Sequence, residues 1–277
     1  MHATQKNMTP ELSIVLFDEK FHDQISSKRH LKIYKSLKTK NLVDHKNIFI
    51  VSKATNLFDL SAFIREANKR NHLKALFIRP DIDKEIIPKM MYSANVRSLR
   101  NTLIHQTPEM LKRILNAWEI GAQDQLIADA NISNDKLYVL SCSLKMYSVL
   151  MDEIPALKEM NVKFRRKFSL AEDGRFIHWE KNDIHIDIET LEYHTNVKFR
   201  RKSDLKKLQY YQNLGTNIKK IREVTGIYQS DIPGLSARQV RRIENGETQP
   251  TTKALDKMAS ALNMSLDDFL NKLAVYS

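Results

Sequence analysis

Apolar and polar positions alternate in three different rhythms along the chain. LSIVLF (Leu12–Phe17), NIFIVS (Asn47–Ser52) and KALFIRP (Lys74–Pro80) are apolar runs of strand length. Between the last two, Leu57, Leu60, Phe63, Ile64 and Ala67 recur at helical spacing, so the order is strand, helix, strand. A second helix is predicted from TPEMLKRILNAWEIGAQDQLIADA. Thr107 is placed to cap it, Pro108 suits the first helical position, and Glu109 favours the positive end of the helix dipole. Its inner stripe would be Leu111, Ile114, Leu115, Trp118, Ala122 and Leu126. From Asn131 the rhythm shortens. KLYVLSCSL and VKFRRKFSL read as strands, DEIPALKEM as a short helix or loop, and EDGRFIHW as a hairpin turning at Asp173-Gly174. NDIHIDIETL alternates strictly, with Ile184, Ile186 and Ile188 on one side and Asp183, His185, Asp187 and Glu189 on the other.

The last stretch reads as short helices in close succession. Four of the six glycines (Gly215, Gly226, Gly234, Gly246) lie there, where helices end and chains turn. Leu214, Ile218 and Ile221 form the inner side of a first helix that stops at Gly226. Gln229 to Ile232 can form only a very short second one before Pro233-Gly234. Ser236 caps a third, SARQVRRIENG; Thr251 or Thr252 starts a fourth; Ser265 caps a fifth. The expected fold is therefore α+β. An α/β region spans residues 1–106 and a helix with a small α+β module spans 107–195. A basic linker covers 196–212, and an all-α domain of about five short helices covers 213–277.

Charge narrows the function. The net charge is +12 and the pI near 9.6, which favours a polyanionic partner, nucleic acid first, because each phosphate contact releases condensed counterions. MHATQKNMTPEL has no apolar signal core and no run approaches a membrane span, so no membrane partner is expected and the localisation expected is cytoplasmic, associated with the nucleoid. The single cysteine, Cys142, excludes an internal disulfide and a cysteine-based zinc site, and its apolar neighbours predict a buried, inert thiol. No phosphate-cradling glycine loop, Gly-x-Ser-x-Gly or His-Glu-x-x-His motif occurs, so neither catalysis nor a cofactor is expected. His178, Asp183, His185 and Asp187 gather in HWEKNDIHID. A metal site needs ligands converging from more than one element, the sequence shows no further anchoring motif, and strand-face histidines between carboxylates are the expectation.

The third C-terminal helix carries the chemistry. Val240 and Ile243 face inward, leaving Ala237, Arg238, Gln239, Arg241 and Arg242 outside. A helix that reads the major groove needs small or polar residues at its entry and forked donors for guanine O6 and N7. Gln229, Leu235-Ser236, Val240 and above all RRIENGETQPT followed by ALDKMASALNMSLDDF resemble the Cro-repressor-type (XRE) helix-turn-helix family, over roughly the last fifth of the chain. That resemblance implies base contacts from Ala237, Arg238 and Arg242, and phosphate contacts from Gln229, Ser236, Arg241, Asn245 and Lys253. The second helix departs from the family in being shorter and containing Pro233. Upstream, WEIGAQDQLIADA, LYVLSCSL and DGRFIHWEKNDIHIDIETL resemble an uncharacterised small α+β domain that accompanies such modules in bacteria.

One heptapeptide, NVKFRRK, occurs twice, at Asn161–Lys167 and Asn196–Lys202. The first copy reads as a half-exposed strand whose charge is incidental. The second reads as a basic arm, with Lys198, Arg200, Arg201 and Lys202 reaching the DNA backbone or minor groove, followed by a helix capped by Ser203 that buries Leu205, Leu208 and Tyr211. The function expected is a sequence-specific transcriptional regulator, a repressor binding double-stranded DNA as a homodimer on an inverted repeat. The competing expectation is an antitoxin-like protein whose N-terminal region binds a protein partner.

Overall fold

The computed structural model describes residues 11–21, 31–96, 101–104 and 108–275. These residues form two compact units, divided between Thr195 and Asn196. The fold is α+β, as the periodicities predict.

The first unit is built on five parallel strands: β1 (Leu12–Phe17), β2 (Leu31–Tyr34), β3 (Ile48–Lys53), β4 (Leu73–Arg79) and β5 (Thr102–Ile104), in spatial order β2-β1-β3-β4-β5. Both faces are covered, which explains why the strands read as continuous apolar runs. On one face Val15, Ile48, Ile50 and Leu76 pack with Leu57, Leu60, Ile64 and Ala67 of helix α1 (Leu57–Lys69) and Ile87 of α2 (Ile87–Ser93). On the other, Ile14, Phe49, Val51 and Phe77 meet Leu111, Ile114 and Leu115 of α3 (Pro108–Glu119), together with Ala128, Leu140 and Cys142. The expected boundary at residue 106 therefore runs through a shared core. Burial pushes the Cys142 thiol up to about 12. Asp18, fully buried just after β1, is held by Arg79 at the end of β4, with Nε 2.5 Å from Oδ2.

The helix predicted from Thr107 ends earlier than its apolar stripe suggested. Gly121 takes a left-handed backbone (φ +70°), and Ile127–Ser133 is strand β6 rather than helix. Thr107 lies outside the described residues. Strands β6, β7 (Lys136–Ser141) and β8 (Met146–Leu150) form an antiparallel meander. Helix α4 (Pro155–Lys158) comes next, where a short helix was expected.

The first NVKFRRK copy is not a strand. Val162–Arg165 is a helical turn, α5, whose N-cap Asn161 accepts a hydrogen bond from the Lys163 N–H. Its charge is not incidental either: Arg165 is buried and donates to Asp152 (2.6 Å), while the indole N–H of Trp179 donates to the Arg165 carbonyl (2.7 Å). Only Ser169–Leu170 of that segment is extended, as β9, and it pairs through the predicted Asp173-Gly174 hairpin with β10 (Ile177–Trp179). Strand β11 (Ile184–Ile186) completes this second small sheet. The alternation in NDIHIDIETL overstates the strand, because Ile188 already belongs to α6 (Ile188–Thr195).

The second unit begins with a larger correction. Of residues 196–212, expected as a linker, all but the first belong to α7 (Val197–Val224), a continuous helix of 28 residues. Asn196 caps it, its side chain accepting from the N–H groups of Lys198 and Phe199, and Ser203 lies within the helix rather than starting one. A single 3₁₀ turn at Gln229–Asp231 stands in for the short second helix. Then come α8 (Ala237–Glu244), α9 (Thr252–Ala261), capped by Thr251, and α10 (Leu266–Val275). Their core joins Ile218, Ile221, Ile232, Val240, Ile243, Met258, Ala259, Leu262, Phe269 and Leu273. Leu205 and Leu208, expected to be buried, are 59% and 46% exposed.

Candidate nucleic-acid interface

Helix α8 begins sharply because Pro233-Gly234 cannot continue the turn before it and Ser236 can cap the new helix. The Ser236 hydroxyl accepts from the Gln239 N–H, and the Gln239 side-chain carbonyl accepts from the Ser236 N–H (2.8 Å), a reciprocal box. Val240 and Ile243 are buried, so the helix has one fixed inner side. Ala237, Arg238, Gln239, Arg241 and Arg242 are all exposed on the other. Arg238 and Arg241 have no ion-pair partner among the described residues, while Arg242 lies 3.7 Å from Glu247. These guanidinium groups meet water on one short helix, as a surface that exchanges water for a polyanion requires.

A buried polar network fixes where that surface points. Arg222, near the end of α7, donates from Nε to Glu244 Oε1 (2.5 Å) and from Nη2 to Oε2 (3.1 Å). Its Nη1 donates to the Ile227 carbonyl (2.7 Å), and Gln229 Nε2 donates to Glu244 Oε2 (2.7 Å). Both charged groups are buried, and the hydrogen bond to Glu244 raises the Arg222 pKa above its ordinary value. A buried carboxylate with three such donors can take only one orientation, so the end of α8, the end of α7 and the turn between them are locked together. The helices also touch at their backbones. A Cβ on Gly215 of α7 would stand 2.3 Å from the Ile243 carbonyl oxygen, and one on Gly246, just past α8 with φ +69°, would stand 2.6 Å from Gln212 Cα. Only glycine permits this crossing.

The residues expected at DNA divide into three groups. Ala237, Arg238, Arg241 and Arg242 share the exposed side of α8, and Lys253 is exposed on the first turn of α9. Gln229 and Ser236, expected at phosphates, hold other partners: Gln229 reaches inward to Glu244, and the Ser236 hydroxyl belongs to the cap. Asn245 is exposed and donates from Nδ2 to Glu247 (2.9 Å). Lys198, Arg200, Arg201 and Lys202 are exposed on the first turns of α7, about 20–26 Å along its axis from the Gly215 crossing at the usual rise per residue. They are displayed by a helix, where the sequence suggested an arm in a linker. The sequence reading missed Arg222 and Glu244. The signal existed, since 218, 221 and 222 on one helix and 240, 243 and 244 on the other are inward positions by periodicity.

With this geometry in place, comparison with known proteins gives one match. Residues 234–269, from Gly234 through α8 and α9 into α10, match the family model described as helix-turn-helix. The C-terminal segment is therefore a helix-turn-helix of the Cro-repressor type and supports a DNA-binding regulator. Neither the curated proteins nor the solved structures contain a match to the chain.

Proposed function

We propose that this chain is a sequence-specific transcriptional regulator, a repressor that binds an inverted-repeat operator as a dimer. The observation that carries the reading is the exposed face of α8, bearing Ala237, Arg238, Arg241 and Arg242 on a helix whose orientation is locked from behind by Arg222 and Glu244. Arg238 and Arg242 are the base readers, because forked donors near the entry of a groove-seated helix reach guanine edges. Arg241, Asn245 and Lys253 take phosphates. Lys198, Arg200, Arg201 and Lys202 add sequence-independent attraction from α7. The dimer reading draws support from the same helix. Val197, Leu205 and Leu208 lie on one side of α7 and are all exposed, an apolar stripe suited to a second copy.

Selection of binding sites from a random duplex library, with the full-length protein near physiological salt, tests this reading. An inverted repeat with half-sites about 34 Å apart is expected. Recovery of unrelated sequences whose binding merely falls with salt would overturn it. In the same assay Arg238→Ala should relax preference at one position of the half-site, at about 1–3 kcal/mol. Arg200→Ala should instead weaken all sequences alike and lower the salt slope by about one.

A further inference from the structure

The geometry points to a divalent transition-metal site formed by His178, Asp183 and His185 on the small sheet of the first unit, separate from the helix-turn-helix. Strands β10 and β11 are antiparallel, and their register sets His178 directly opposite His185. The two imidazoles lie face to face, 4.2 Å between centroids and 9° from parallel. Asp183, in the tight connection between the strands, takes a left-handed backbone (φ +49°) that returns its carboxylate over the pair. Asp183 Oδ1 stands 3.8 Å from His178 Nε2 and 3.9 Å from His185 Nδ1. One donor atom from each of the three residues lies within 4.8 Å of the others. Three ligands thus converge from two strands and a turn, the condition that the linear sequence did not display.

Those separations are too long for direct hydrogen bonds, so the three groups do not satisfy one another. His178 Nε2 is buried without a hydrogen-bond partner, a state that native proteins rarely leave unexplained. Around one zinc-like ion, with bonds of about 2.0–2.2 Å, donor atoms sit about 3–3.5 Å apart. Seating the ion takes a swing of the Asp183 side chain, 89% exposed, and a turn of both imidazoles out of their parallel stack, because a ring nitrogen binds a metal along the plane of its own ring. Two neutral imidazoles and a carboxylate offer nitrogen and oxygen donors carrying one negative charge. That set suits Zn²⁺, Co²⁺, Ni²⁺ or Cu²⁺ and is a poor cage for Mg²⁺ or Ca²⁺, which demand oxygen. The Phe176 ring stands edge-on to His185 at 4.6 Å and gives the site an apolar wall. Asp187, which alternation had grouped with these residues, is engaged elsewhere, its Oδ1 accepting from the Thr190 N–H (2.8 Å) and hydroxyl (2.7 Å). Three protein ligands leave at least one coordination position for water or another donor.

Titration of the untagged full-length protein with Co²⁺, followed by its visible d–d absorption and by displacement with Zn²⁺, tests the assignment. Saturation at a single ion per chain is expected, with no competition from Mg²⁺. His185→Ala and Asp183→Asn alter exposed side chains and should leave the circular dichroism spectrum unchanged. Each should weaken binding by at least about tenfold, the lower bound seen when even an outer partner of a metal ligand is removed. Absence of Co²⁺ absorption in the wild-type protein, or absorption and affinity unaltered in both variants, would overturn the site. Either result would leave the DNA-binding reading untouched.

Discussion

Arg222 and Glu244 show how much a single buried pair can decide. Each ion alone would be costly out of water. Together, with Gln229 and the Ile227 carbonyl completing their hydrogen bonds, they hold one arrangement. Arg222→Ala should therefore destabilise the second unit by about 3–5 kcal/mol, because it strands the Glu244 carboxylate. Replacing both, Arg222→Met with Glu244→Leu, should recover most of that loss while loosening the seat of α8. Urea unfolding followed by circular dichroism measures both, and a single variant within about 0.5 kcal/mol of wild type would show the pair to be incidental. At this scale the sequence was half legible. The exposed arginines of α8 could be named from periodicity, since Val240 and Ile243 fix which side is inside. The inward charges could not be paired, because pairing needs the distance between two helices. Gln229 and Ser236 carry the same lesson: a polar side chain in the right place for phosphate can already be hydrogen-bonded to its own fold.

Elements were legible where one rhythm dominated and illegible where two competed. The parallel strands and α1 were readable because long apolar runs and a clean helical stripe have one solution each. NVKFRRK has two. Its valine and phenylalanine alternate like a strand, yet asparagine followed by three helix-compatible residues is also a helix start. In both copies the asparagine cap wins. The residues downstream decide the length: the first copy ends at a β strand whose neighbouring Phe168 packs on Trp179, whereas the second runs on through a polar, helix-favouring stretch. The Gly215 crossing is the element-scale feature most open to test. Gly215→Ala would favour helix by propensity alone, but the added methyl must displace the Ile243 and Glu244 carbonyls of α8. A loss of about 1–3 kcal/mol, with weaker DNA binding than stability alone explains, is the expected outcome from thermal melts and binding titrations in parallel. A stabilised variant with unchanged affinity would mean that the helices separate freely there.

For the whole molecule, the division at Thr195 and Asn196 matters most, because each side closes its own core. A fragment of residues 196–277 should fold alone, with a cooperative thermal transition and helical circular dichroism. A fragment without cooperative melting would show that the second unit depends on the first. The strand order of the first unit was beyond reach of the sequence, since β2 and β5 are short, half-exposed edge strands with little apolar signal. The span of α7 was hidden for a similar reason, as a mostly polar helix carries little periodic contrast. That uninterrupted span gives the protein an angular register. A helix of 28 residues is a shaft about 42 Å long, in which each added residue turns everything beyond it by about 100°. Two residues inserted ahead of Leu214 would carry the lysines and arginines at its head about 200° around the axis, to nearly the opposite side from where they now stand relative to α8. Seven would bring them back to within about 20° of their present bearing, only farther out. The spacing between the two basic surfaces is thus a quantity with a phase as well as a length.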